Sequence, residues 1–212
     1  RTATEPQPNR NRTATRHLLA TLTLGGTARG HPVVCIMCQS PSPPPPHLGK
    51  KELHIAPMLD VSNREFRYFI RLLTKRSFLW TEMVVAETLR HCDPKEYDQH
   101  LAHDEGHPIV CQIGGNVPAE AVLATKLVQQ YGYDRIDLNA ECPSDRVTGR
   151  REFGAALMKN IDTAVEMVRA MVETADNGRM PVSVKTRIGV DDEDSMEFLV
   201  SYIGRLVDAG CR

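Results

Sequence analysis

The 212-residue chain is poor in aromatics, 5% with a single tryptophan, and nearly free of net charge at −1. Without a global basic field, any contact with nucleic acid must come from local patches. No apolar run approaches the ~18 residues of a membrane span, so a transmembrane helix is excluded and a soluble protein is expected. The six cysteines stand at irregular spacing with no secretory apolar segment before them. That pattern excludes a disulfide framework and predicts reduced intracellular thiols. An initiator methionine is also missing, and the chain breaks off after "RLVDAGCR"; a partial product is expected.

Acids are scarce in residues 1–50, where Glu5 stands alone among arginines, threonines and alanines. This composition has organelle-targeting character, plastid or mitochondrial, although a disordered tail explains it equally well. "QSPSPPPPHLGK" at 39–50 reads as a polyproline linker. "CIMC" at 35–38 lacks the second cysteine pair of a zinc site, so no metal is expected. The expected organisation is a disordered targeting-like segment with its linker over 1–50, then a folded domain over 51–212.

From Lys51 onward, short apolar strands alternate with amphipathic helices. "LHIAPML" (53–59), "FLWTEMVVAE" (78–87), "HPIVCQIGG" (107–115), "YDRIDLN" (133–139) and "MPVSVKTRIG" (180–189) read as five strands. "SNREFRYFIRLLTK" (62–75) reads as the first helix, with Ser62 as N-cap and Glu65 completing a capping box. Phe66, Phe69, Ile70 and Leu73 fall at helical spacing along it. "VPAEAVLATKLVQQYG" carries Pro118 in its first turn and Gly132 past its end. Helices also follow over 161–178 and 191–210, the last with acids at its positive end.

Repeated strand and helix units imply a parallel sheet, because parallel neighbours need a crossover connection. The fold class predicted is α/β: a TIM (β/α)8-type barrel, truncated after about five β/α units. Asp60, Gln112, Asn139 with Cys142, and Lys185 with Arg187 all follow strand ends, which a barrel gathers on one face. A dinucleotide-binding sheet would want a G-x-G-x-x-G at its first helix, and "APMLDVSN" has none.

Taken alone, Cys142 is ambiguous, since free cysteines are among the most buried residue types. No histidine lies near it in sequence to activate it as a nucleophile. An unactivated thiol, with a pKa near ~8.5, stays mostly protonated at neutral pH and suits a general acid. Lys185 ends the alternating "VSVK" and is aimed at a cavity beyond the strand; its apolar flanks argue against a surface lysine. The Gln112 amide suits a ligand edge with both donors and acceptors, and equally a strand-end hydrogen bond. Arg146, Arg150 and Arg151 on the Cys142 loop could meet RNA phosphate, although loop charges are more often solvated. His91, His100, His103 and His107 show no ligand spacing and read as surface groups.

"APMLDVSNREFRYF", "TEMV", "CQIGG", "DLNAECPSDRV", "FGAALM" and "VKTRIGVDDEDSMEF", in this order from about Leu53 to the last residue, resemble the tRNA-dihydrouridine synthases, closest to the bacterial A type. The resemblance implies an FMN enzyme on a TIM barrel that reduces the C5–C6 double bond of particular uridines in tRNA, with NADPH supplying electrons. It implies hydride transfer from flavin N5 to uracil C6 and a proton from Cys142 to C5. By the same resemblance Pro57, Met58, Leu59, Gln112 and Lys185 hold the flavin, while Asn139 and Arg146 meet the substrate.

Two departures from the family pattern stand out. The family commonly has glycine before the cysteine, where this chain has Glu141, and "GRREFGAALM" carries an irregular junction. The break after "RLVDAGCR" removes the later strands and the helical tRNA-binding domain, so these 212 residues alone are expected to bind FMN poorly and not to turn over. The rival readings are a free-pyrimidine flavin oxidoreductase, against which "CPSDRV" and "FGAALM" argue, and a non-catalytic, partner-binding remnant.

Overall fold

Alternation along each strand decides which residues meet the helices. In "RIDLNA" Ile136, Leu138 and Ala140 point to one face and Arg135, Asp137 and Asn139 to the other, and all six are buried because both faces are covered. The computed structural model describes residues 19–23, 33–37, 52–144, 152–175 and 179–212. Its strands are β1 (Leu19–Thr23), β2 (Val33–Met37), β3 (His54–Ile55), β4 (Phe78–Val85), β5 (Ile109–Gly114), β6 (Arg135–Ala140) and β7 (Val182–Arg187). The helices are α1 (Arg64–Leu73), α2 (Ala86–His91), α3 (Tyr97–Leu101), α4 (Pro118–Gln130), α5 (Ala156–Lys159), α6 (Ile161–Thr174) and α7 (Met196–Asp208).

Strands β3 to β7 pair in chain order and all in parallel. A doubly wound sheet reverses its order at a switch point. This one does not; it curls as half of a barrel with helices between its strands, as the sequence predicts. Ile109, Cys111, Ile113, Ile136, Leu138, Val182 and Val184 form its outer face. They share one core with Ala124 and Val128 of α4, Val168 and Met171 of α6, and Ile203 and Leu206 of α7. Gly132, at φ +77°, ends α4 where the sequence places it.

Other expectations change. Residues 1–50 are predicted to lack regular structure, yet β1 and β2 pair antiparallel and β2 pairs antiparallel with β7. "LATLT" and "VVCIM" are rich in β-forming residues, and the edge of β7 presents a row of backbone groups to pair with. The polyproline reading of 39–50 and most of the targeting-like segment fall outside the described residues. The first parallel strand shrinks from the predicted 53–59 to His54–Ile55, because the chain turns: the Ser62 N–H donates to the Met58 carbonyl at 2.8 Å and the Met58 N–H to Ser62 Oγ at 2.6 Å.

With its hydroxyl so committed, Ser62 does not cap α1. Asn63 does, its Oδ1 accepting from the Phe66 N–H at 2.9 Å. Only half of the predicted apolar stripe of that helix is partly covered: Phe66 and Ile70 are half-buried, while Phe69 and Leu73 are 57% and 70% exposed. Its buried positions are Arg67 and Arg71. Arg67 pairs with Glu105 and donates to the Ser62 carbonyl at 2.7 Å, while Arg71 donates to the carbonyls of Ser77 and Pro108 at 2.9 and 2.8 Å. His103, predicted at the surface, is half-buried and packs on Tyr133 at 4.4 Å between ring centres.

Candidate functional site

The inner face of the sheet carries two polar layers. At the strands' N-terminal ends, Phe78 lies between two partners: the His54 ring stacked at 4.7 Å and the Arg135 guanidinium 4.0 Å from its centre. Arg135 donates twice to Glu52, at 2.9 and 3.0 Å. The indole N–H of Trp80 donates to His54 Nδ1 at 3.1 Å, so the neutral ring carries its proton on Nε2 and gives it to Glu52, also at 3.1 Å.

The second layer lies toward the C-terminal ends. In register, Gln112 stands opposite Asp137, Asp137 opposite Ser183, and Asn139 opposite Lys185. A β-bulge between Trp80 and Met83 interrupts the ladder beside Gln112, whose N–H is satisfied by Thr81 Oγ1 at 3.1 Å instead.

Asp137 is fully buried and accepts from Gln112 Nε2 at 2.9 Å and Ser183 Oγ at 2.7 Å. Burial pushes its carboxyl up to about 7, against the pull of those two hydrogen bonds and of the nearby Lys185 charge. In its charged form this carboxylate can only accept, so it orients the Gln112 amide with its oxygen away, and that oxygen accepts from Asn139 Nδ2 at 2.9 Å. Asn139 Oδ1 then points to the loop and accepts the N–H groups of Glu141 at 3.2 Å and Cys142 at 3.0 Å. One acceptor therefore sets the direction of a hydrogen-bond relay that ends on the backbone of Cys142.

The rest of the loop is held from both sides. The Cys142 carbonyl accepts the Ala155 N–H at 3.0 Å, joining "CPS" to "FGAALM". Gly114 permits this packing, because a Cβ there would lie 2.6 Å from Met83 Sδ and 2.8 Å from Phe153 Cε2. Lys185, 4% exposed, pairs with Glu141, whose carbonyl accepts from Arg187 Nε at 2.8 Å. Beside them opens a cleft of about 830 Å³, lined by Pro143, Lys159, Arg187 and Asp191 among others.

Of the sequence-predicted site residues, Gln112, Asn139 and Cys142 are thus joined directly, and Lys185 stands beside Asn139 in register. Pro57, Met58 and Leu59 follow β3 at the same end of the sheet, with β4 between them and Gln112; their turn is tied to β4 by the Asp60 N–H donating to Glu82 at 2.6 Å. Arg146, with Arg150 and Arg151, lies outside the described residues. Asp137 and Ser183 escape a reading that looks only at strand ends. The signal was there in "D-x-N" and "S-x-K", each placing two polar groups on one strand face.

Comparison with known proteins gives this arrangement a family. The profile described as dihydrouridine synthase (Dus) matches residues 54–212. The chain belongs to the dihydrouridine synthase family. The tRNA-dihydrouridine(20/20a) synthase of Vibrio parahaemolyticus is 44% identical over 158 residues, covering 74% of this chain and 46% of that protein. That of Vibrio cholerae is 46% identical over 160 residues, with the same coverages, and that of Escherichia coli K12 is 43% identical over 157 residues, covering 74% and 43%. The dihydrouridine synthase chain described here therefore spans a little under half the length of these curated relatives.

Proposed function

We propose that this chain supplies the catalytic face of an FMN-dependent tRNA-dihydrouridine synthase, with NADPH as electron donor. The observation that carries the reading is the relay from Asp137 through Gln112 and Asn139 to Cys142, with Lys185 in register beside it. The donor set fits a flavin ring edge. Beyond the bonds described, the Gln112 amide has a second hydrogen and a second oxygen lone pair, and Lys185 has ammonium hydrogens beyond the one facing Glu141. When bound, the flavin supplies the hydride.

The chain's own residues do the rest. Lys185 places a positive charge at the ring edge, where negative charge gathers on reduction. Pro57, Met58 and Leu59 would help to hold the flavin from the turn after β3. Asn139, held by Gln112, offers its remaining amide hydrogen to the target uracil, a contact suited to a flipped-out base. The Cys142 thiol, with its backbone fixed at both N–H and carbonyl, gives the proton to C5. The cleft beyond β7 admits the nucleotide, and Arg146 meets its phosphate.

A chimera tests this directly. Residues 54–212 replace the matched segment of the Escherichia coli relative, in a strain lacking its own dihydrouridine synthases, and tRNA nucleosides are measured by mass spectrometry. Dihydrouridine should return, and Cys142→Ala in the chimera should lower it by about 100-fold, within the range for losing a general acid. A folded chimera that forms none refutes the proposal, and equal yields with and without the thiol refute the role of Cys142.

A further inference from the structure

The Lys185 and Glu141 side chains are 5% and 13% exposed, so water screens their mutual attraction weakly. Glu141 is also held at its backbone, its N–H by Asn139 and its carbonyl by Arg187, which keeps its carboxylate aimed at the ammonium. The other acid near Lys185, Asp137, is committed to Gln112 and Ser183. Glu141 is therefore the carboxylate that neutralises this lysine at the mouth of the half barrel.

We propose that Glu141 is a tethered counter-ion whose carboxylate competes with a flavin ring for the positive charge of Lys185. The inference rests on the flavin reading above. While the pair is closed, the charge of Lys185 is already offset before the acceptor atoms of the ring edge arrive. Removing the carboxylate leaves a buried ammonium without its partner, and an incoming acceptor then relieves a desolvation cost it would otherwise only exchange. Glu141 in this way sets how strongly the mouth prefers acceptor-rich or anionic rings.

The test is a titration of FMN and of riboflavin into the full 212-residue chain, followed by flavin fluorescence, for wild type, Glu141→Gln and Glu141→Ala. Both variants should bind each flavin about tenfold tighter or better, a gain of about 1.4 kcal/mol. Adding Lys185→Met should erase that gain. Glu141→Ala carries the comparison if Glu141→Gln does not fold. Wild-type binding with no gain in a folded variant overturns the counter-ion and leaves the flavin reading standing. A gain for FMN without riboflavin overturns it too, since the phosphate and not the ring would then be competing for Lys185. If no folded chain binds either flavin, the counter-ion proposal fails, while the flavin reading, which expects poor binding by these 212 residues alone, is decided by the chimera.

Discussion

The two polar layers inside the sheet are differently built. In the layer at the strand starts, charge and aromatic surface close on themselves: Glu52, Arg135, Phe78, His54 and Trp80 each face another member of the group. In the layer at the strand ends, Gln112, Asn139 and Lys185 are oriented by Asp137 and Glu141 yet keep hydrogen-bonding capacity beyond those contacts. A closed layer fastens the sheet and a partly open one can receive a ligand. The difference lies in how many donors and acceptors are already taken, not in how polar the residues are.

Titration should break the likeness between the layers most sharply. The Asp137 carboxyl is raised from 3.8 to about 7, so between those values the folded state keeps a proton that the unfolded state has lost. Stability from this group is thus full below about pH 4 and is lost as pH rises toward 7, by an amount on the order of 4 kcal/mol. Asp137→Asn cannot titrate. Urea unfolding of both proteins from pH 4 to 8 should show the wild type losing ground steadily against the variant. A constant difference would mean that Asp137 ionises normally. In the closed layer, Arg135→Met leaves Glu52 facing a thioether and takes the cation from Phe78. We expect it to cost about 3 kcal/mol, as for breaking a mostly buried pair, read as a shift of urea midpoint at unchanged slope.

Much of this was legible because strands covered on both faces write apolar runs between glycine and proline, and helices write their caps and periodicity. The five parallel strands, Gly132 and the gathering of Gln112, Asn139 and Cys142 follow from such local patterns. What the letters hid depends on partners distant in sequence. Arg67 and Arg71 look like solvated charges until Glu105 and the carbonyls of Ser77 and Pro108 come within reach. Glu141 reads as an awkward bulk beside Cys142 until Lys185 arrives from the next strand. Asp137 sits inside an alternating run whose pattern reveals a face but not that the face is the barrel's interior.

Smaller substitutions sharpen the contrast. Ser183→Ala removes one of the two donors that favour the charged form of Asp137, so it should cost about 2 kcal/mol at pH 8, where the carboxylate is charged, and less at pH 4. An equal cost at both pH values would place the proton on Asp137 even at pH 8.

His54, in the closed layer, should respond in the opposite sense. Burial holds its pKa below the usual 6.5, against the pull of Glu52, and protonating Nδ1 would also break the bond from Trp80. As pH falls through 6.5 the unfolded state takes up the proton first, so stability declines on the acid side where Asp137 adds to it. His54→Phe removes that decline while stranding the Trp80 N–H, at a cost of about 1 kcal/mol at pH 8. The wild-type and variant stability curves should therefore converge as pH drops below 6.5. Parallel curves would show that His54 takes up its proton at the same pH in the folded and unfolded states, and that this layer is less closed than its hydrogen bonds imply.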